Sequence, residues 1–92
     1  MSAVALPEPM TVPSTYAADQ DVALAAAGDR RAFERLYRLH VTRVFSLCAR
    51  MVTDRTRAEE LTQDVFVRAW EKLHLFRWEA AFGTWLTGIG LN

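Results

Sequence analysis

Residues 58–70 read Ala58-Glu59-Glu60-Leu61-Thr62-Gln63-Asp64-Val65-Phe66-Val67-Arg68-Ala69-Trp70. At about 100° per residue, this segment predicts an amphipathic helix with two distinct faces. The polar face consists of Glu60, Gln63, Asp64, Val67 and Glu71. The opposite face is mainly apolar and is predicted to be buried: Ala58, Leu61, Thr62, Val65, Ala69 and Leu73. Phe66 and Trp70 lie one turn apart at the border between the faces.

The polar face of this helix has side chains that packing of the core does not require. A core helix needs only its apolar stripe, whereas this one adds two carboxylates around Gln63, with the rings of Phe66 and Trp70 alongside. That combination indicates a surface that docks a partner. The alternative is a solvated polar face, which most amphipathic helices have. The pattern alone leaves both interpretations open.

The composition is that of one small globular domain. The chain has 92 residues, of which 51% are hydrophobic and 24% are charged, enough for a single core. Its net charge is zero, which excludes a strongly basic nucleic-acid binder. The charges are unevenly distributed, however: residues 30–57 include eight arginines, and residues 58–92 have three basic against five acidic side chains. Two such halves can serve different partners, or they can simply keep a small bundle soluble.

The single cysteine, Cys48, excludes an internal disulfide and is expected to be buried on its helix. No run of 18 apolar residues predicts a membrane span. The N-terminus lacks the basic region of a signal peptide. These features together predict a protein of the reducing cytoplasm.

The N-terminal third of the chain predicts a flexible segment and then a short helix. Residues 1–18 contain three prolines, which disfavour regular structure because proline fixes φ and removes a donor. Asp19 or Asp21 can cap the first helix, which is predicted to end at Ala27. Gly28 then supplies the left-handed residue that commonly follows a helix.

The remaining helices are predicted from apolar spacing. The second follows Asp29, and its apolar positions recur at intervals of three and four: Phe33, Leu36, Tyr37, His40, Val41, Val44, Leu47, Cys48 and Met51. Asp54 or Thr56 caps the third, which runs to about Leu73. A fourth begins near Ala80, with its stripe at Phe82, Trp85, Leu86 and Ile89.

The predicted fold is therefore all-α, a compact bundle of about four helices. The first is short, the second and third are long, and the fourth lies at the C-terminus. Residues 19–92 are predicted to form the domain, with the fourth helix truncated at Asn92. Three glycines weaken this last helix, each by ~1 kcal/mol relative to alanine.

No arrangement of residues typical of catalysis is found in the sequence. Glu59 and Glu60 are adjacent on a helix and point to different sides, so they cannot act as a paired acid and base. No serine has a suggestive histidine and acid partner. His40 has no partner at metal-ligand spacing, and a packed or half-exposed histidine is expected. The prediction is a non-enzymatic protein without a metal or cofactor.

Large rings occur where a connecting loop is expected, in His74-Leu75-Phe76-Arg77-Trp78-Glu79. Loops usually lie on the surface, where exposed rings are unfavourable. Either Phe76 and Trp78 fold back over the end of the bundle, or they present flat surfaces to a ligand. Rings next to Lys72 and Arg77 favour single-stranded nucleic acid, because bases stack on rings and cations follow the phosphates.

Several separated motifs resemble region 2 of bacterial sigma factors, and the extracytoplasmic-function (ECF) type is the most similar. They are the run at residues 58–70, Leu73-x-x-Phe76-Arg77, and Phe82-Gly83-Thr84-Trp85-Leu86. The upstream Gly28-Asp29-x-x-Ala32-Phe33-x-x-Leu36-Tyr37 is similar to the start of the same domain. The resemblance covers roughly residues 19–92.

This resemblance implies a domain that binds the clamp helices of the β′ subunit of core RNA polymerase. It also implies melting of the promoter minus-ten element and capture of the non-template DNA strand. The clamp-binding positions fall on Glu60, Gln63, Asp64, Phe66 and Trp70. The promoter-recognition positions fall on Phe76, Arg77, Trp78 and Asn92. An anti-sigma factor is a further partner expected from the family.

The sequence departs from the family near its end. Gly88 and Leu91 stand where the family often carries basic residues, and Gly90 stands where it has a small or apolar residue. Fewer cations are therefore available for phosphate contacts. The alternative function is a helical protein-interaction domain that does not bind DNA. Such an adaptor would need the polar face of the third helix but not the ring-rich loop.

Overall fold

Helices account for most of residues 14–91, which are the residues described by the computed structural model. They form α1 (Ser14–Ala26), α2 (Arg30–Met51), α3 (Arg55–Lys72) and α4 (Phe82–Leu91). A 3₁₀ turn, Leu73–Leu75, follows α3 directly. Within this part of the chain there is no strand, so the predicted all-α bundle of about four helices is confirmed.

The start of α1 differs from the prediction. It begins at Ser14, five positions before Asp19, so the expectation of irregular chain up to residue 18 is wrong for residues 14–18. A proline restricts its own position and the residue before it, but it is well tolerated at a helix start. The alanines after Ser14 then favour helix. The rest of the predicted flexible segment, residues 1–13, lies outside the described residues.

Aspartates begin both long helices. The Asp29 carboxylate accepts hydrogen bonds from the backbone N–H groups of Arg31 (3.0 Å) and Ala32 (3.1 Å). The Asp54 carboxylate accepts one from Thr56 N–H (3.2 Å). Asp54, rather than Thr56, is therefore the N-cap of α3. Each cap satisfies donors that the first helical turn cannot, at about 1 kcal/mol of stability.

The connection between α1 and α2 is a tight turn at Gly28. Its φ of +104° lies in the left-handed region, and its N–H donates to the Ala25 carbonyl at 2.9 Å. Arg35 of α2 pairs with Asp21 of α1 at 2.9 Å, a contact between the two helices at the surface. The predicted stop at Gly28 is confirmed.

The core lies between the helices, with α2 and α4 packed against α3 and α1 packed against α2. Its buried hydrophobic residues include Val22, Leu36, Val44, Cys48, Val65, Leu73 and Leu86. On α3 the predicted buried face is confirmed, with Leu61 only partly buried. Thr62 is accommodated inside because its hydroxyl donates to the Ala58 carbonyl at 2.8 Å. No helix in residues 14–91 is both long and apolar enough to cross a membrane.

The segment between α3 and α4 fixes the second part of the candidate site. The backbone N–H of Phe76 donates to the Leu73 carbonyl at 3.0 Å, which closes the 3₁₀ turn. α4 begins at Phe82, two residues later than the predicted Ala80. Phe82 and Leu86 are buried on the predicted stripe, and Trp85 and Ile89 pack against the core.

Candidate functional site

The polar side of α3 is open to solvent. Glu60, Gln63 and Asp64, which we call the acidic surface, are all exposed. Glu60 pairs with Arg57 at 3.1 Å on the same helix, whereas Gln63 and Asp64 make no hydrogen bond or ion pair with another described side chain. Their positions at i, i+3 and i+4 place all three on one side of the helix. Two polar groups are thus available to a partner without breaking internal contacts.

Phe66 does not lie at the border where its sequence position placed it. It is buried, with 5% of its surface exposed, and the prediction of a border position is wrong. Two rings of α2 cover it edge-on: Tyr37 at 4.8 Å and Phe33 at 6.4 Å between centroids. Phe66 therefore packs in the core beneath the acidic surface and exposes little surface to a partner.

Trp70 is only partly buried, so its position at the border of the helix faces agrees with the prediction. Its ring packs edge-on against Phe33 at 5.1 Å, which leaves the remaining edge accessible. The contacts of Phe33 and Tyr37 with this region were not predicted from the sequence. Both rings lie on the apolar stripe of α2, so their burial could be predicted. Periodicity does not show which helix they pack against.

We call residues 76–78 the aromatic loop: Phe76, Arg77 and Trp78. Its two rings differ, because one folds back onto the bundle and the other stays exposed to a possible ligand. Phe76 folds back onto the end of the bundle. Its ring lies 6.0 Å from Phe82 and 5.2 Å from Trp85. Trp78 stays 51% exposed, and its ring centroid lies 5.0 Å from that of Phe76. Arg77 is exposed beside them.

Trp78 has an unusual backbone conformation. Its φ is +64°, and it is the single non-glycine residue with positive φ among residues 14–91. A bulky residue in this region is uncommon and costs about 1–2 kcal/mol. Such strain persists only where the surroundings enforce it, and it occurs most often at functional sites. Trp78 thus combines a left-handed backbone with a half-exposed ring.

A small cavity of about 210 Å³ adjoins the aromatic loop. Phe76 and Trp85 supply its aromatic wall, and Arg77 and Glu79 supply charged groups at its edge. An aromatic wall with polar groups at the rim suits a flat heterocycle that also carries hydrogen-bonding edges. Asn92, the remaining predicted promoter-recognition residue, lies outside the described residues.

His40 joins α2 to the start of α4. Its ring lies 5.3 Å from Phe82, and the absence of a side chain at Gly83 leaves room for the imidazole. A Cβ at Gly83 would lie 3.4 Å from the ring. Burial, and secondarily the charge of Arg43, lowers the pKa of His40 below its usual value. His40 is thus packed, as its sequence context predicts, and it supports the helix that carries the aromatic cluster.

The acidic surface and the aromatic loop occupy different parts of the domain. Leu73, which begins the turn towards the aromatic loop, follows Gln63 by ten positions, about 15 Å along the helix axis at 1.5 Å per residue. The described residues contain no cluster of three or more side chains suited to a metal ion.

An all-α bundle that exposes an acidic helix surface and an aromatic loop has the features of a recognition domain. Residues 36–92 match the family model described as Sigma-70 region 2. The chain belongs to this family, whose members are non-catalytic transcription factors. The predicted resemblance to region 2 of ECF sigma factors is confirmed.

Three relatives illustrate the similarity. The RNA polymerase sigma-H factor of Pseudomonas aeruginosa is 37% identical over 65 residues, 71% of this chain and 34% of the relative. The ECF RNA polymerase sigma factor SigW of Bacillus subtilis is 32% identical over 65 residues, 71% of this chain and 35% of the relative. The RNA polymerase sigma factor CnrH of Cupriavidus metallidurans is 36% identical over 70 residues, 76% and 37% of the two chains.

The chain thus spans about a third of the length of these relatives, which is 34–37% of each. No solved structure was found to match the chain.

Proposed function

We propose that this domain directs transcription initiation by binding core RNA polymerase through α3 and promoter DNA through the aromatic loop. On α3 the binding residues are Glu60, Gln63, Asp64 and Trp70, with Phe66 supporting them from the core. Their partner is the pair of clamp helices of the β′ subunit. Charge-assisted hydrogen bonds from arginines of that subunit suit the two carboxylates, and the edge of Trp70 covers the apolar margin.

The aromatic loop is proposed to recognise the minus-ten element on the non-template strand. Phe76, Arg77 and Trp78 carry this role together with Asn92. Extruding a base from a duplex costs a few kcal/mol. A stacked ring returns ~1–3 kcal/mol per base, and the guanidinium of Arg77 adds a phosphate contact. The proposed function also places the domain in the cytoplasm, where polymerase and promoter meet.

One observation carries the proposal. In a chain of the Sigma-70 region 2 family, Gln63 and Asp64 are exposed and have no partner among the described side chains, and the half-buried Trp70 is nearby. A surface used only for solubility would not need the glutamine or the ring. The ring-rich loop, with Trp78 half exposed, is a second feature that a simple protein adaptor would not need.

The test is affinity for purified core polymerase. Gln63→Ala and Asp64→Ala should each weaken binding at least about fivefold, which is about 1 kcal/mol per contact. Both residues are exposed, so thermal unfolding should remain unchanged. Asp19→Ala, an exposed aspartate on α1, serves as the matched control. Wild-type affinity in both α3 variants would refute the proposed docking surface.

A further inference from the structure

A groove runs along the junction of α2 and α3, next to the acidic surface. Its cavity has a volume of about 370 Å³, and a cavity of ~150 Å³ is already enough for a benzene ring. Three side chains of α2, which we call the floor, supply the apolar part of its lining: Tyr37, Val41 and Phe45. The other lining residues are polar or charged. Val41 and Phe45 are partly buried, and Tyr37 is 38% exposed. The groove therefore presents an apolar, largely aromatic floor to solvent.

Charged residues rim one end of this groove. The guanidinium of Arg55 lies over the Phe45 ring, 5.2 Å from its centroid, and also pairs with Glu59 at 3.3 Å. Both residues line the cavity. Protein interfaces commonly combine an apolar centre with a polar rim, and binding energy concentrates in side chains that enter such a centre. The groove has this arrangement.

The groove and the acidic surface are continuous. Gln63 belongs to the acidic surface and also lines the groove. Tyr37, in the floor, packs on Phe66 at 4.8 Å, and Phe66 lies on α3 between Gln63 and Trp70. A helix that contacts Gln63 and Asp64 would therefore cover the mouth of the groove.

We infer that the groove receives a bulky apolar side chain of the polymerase helix that docks on the acidic surface. This inference rests on the proposed function and extends it to residues of α2. The chemistry of the occupant follows from the surroundings. The carboxylates of Glu60 and Asp64 favour basic side chains on the docking helix. The aromatic floor favours an aliphatic or aromatic side chain about one turn away on the same helix. The groove residues then set how deeply that helix sits.

The test obstructs the groove without removing any packed side chain. Thr42 is exposed and lines the cavity, so Thr42→Trp places a ring across its mouth. Ser46, one turn further along α2, is exposed and lines none of the described cavities near it, and Ser46→Trp is the matched control. Thr42→Trp should weaken core-polymerase binding at least about tenfold, whereas Ser46→Trp should leave it within about twofold.

Gln63→Ala, measured beside them, separates the two hypotheses. If Gln63→Ala weakens binding but Thr42→Trp does not, the groove inference is overturned and the proposed function stands. If all three variants bind polymerase like the wild type, the proposed docking surface fails and the inference with it.

Folding and self-association are checked on the same proteins. If Thr42→Trp melts several degrees below Ser46→Trp, the comparison is made with Thr42→Gln and Ser46→Gln, because glutamine is uncharged, favours helix and still extends into the groove mouth from position 42. The same outcomes then decide. Sedimentation should show a monomer for wild type and variants. A dimer that Thr42→Trp disrupts would assign the groove to a second copy of the chain and overturn the inference.

Discussion

Replacing Trp78 by glycine separates the strain of its backbone from the role of its ring. The left-handed φ of +64° costs a tryptophan about 1–2 kcal/mol, which glycine does not pay. Against this gain, Trp78→Gly loses the contact with Phe76 at 5.0 Å, worth about 0.5–1.5 kcal/mol. It also makes the unfolded chain more flexible, by about 0.4–1 kcal/mol. The opposing effects nearly cancel, so the expected net change is within about 1 kcal/mol.

Trp78→Ala is the matched control. Alanine keeps a Cβ, and with it most of the left-handed strain, but it also lacks the ring. The alanine variant should therefore be less stable than the glycine variant by about 1 kcal/mol, or about 4–8 °C in melting temperature for a domain of this size. Thermal unfolding followed by circular dichroism measures this difference.

Binding of single-stranded DNA should respond to the ring and not to the strain. With core polymerase present, the affinity for a labelled minus-ten oligonucleotide should fall about fivefold to 150-fold in both variants, the equivalent of ~1–3 kcal/mol of lost stacking. Fluorescence anisotropy reports this affinity. Full strand affinity in both variants would refute the proposed role of Trp78. A large loss of stability in Trp78→Gly would show instead that the ring mainly holds the bundle together.

Three further predictions concern stability. Asp29→Ala should lower the free energy of unfolding by about 1 kcal/mol, because two N–H groups lose their acceptor, and an unchanged melting temperature would count against the cap. Gly28→Ala should cost about 1–2 kcal/mol through its φ of +104° alone, since nothing lies within 4 Å of an added Cβ; an equal or higher melting temperature would contradict this. The pKa of His40 is lowered in the folded protein. As the pH drops from about 6.5 towards this lowered pKa, His40 is protonated more in the unfolded chain than in the folded one, so stability should fall. In His40→Gln the melting temperature should depend less on pH across this range. The same pH dependence as in the wild type would mean that other titratable groups cause it.

Much of the fold followed from local rules. Asp29 and Gly28 marked helix boundaries because capping and left-handed turns depend on side chains a few residues away. The buried face of α3 followed from periodicity, which also depends only on residues a few positions apart. The start of α1 did not follow from the proline content of residues 1–18, because helix formation from Ser14 onward depends on the residues after the prolines.

The candidate site was predictable where it depends on one helix and not where two helices meet. Gln63 and Asp64 were placed on the solvent side by spacing alone. Phe66 was misplaced because Phe33 and Tyr37, which cover it, belong to another helix. The groove between α2 and α3 could not be predicted either, since its floor and its rim are separate in sequence. The left-handed backbone of Trp78 was hidden because such a conformation is rare for a bulky residue.

Two separate surfaces, one for polymerase and one for an unpaired DNA strand, are the central claim. The direct measurement is the dissociation constant for core polymerase of Asp64→Arg and of Trp78→Gly, each compared with the wild type. Charge reversal at Asp64 should weaken binding more than about tenfold, by repelling the arginines that the carboxylate attracts. Trp78→Gly should bind polymerase like the wild type. Equal affinity of Asp64→Arg and wild type, or an equal loss in both variants, would contradict the account.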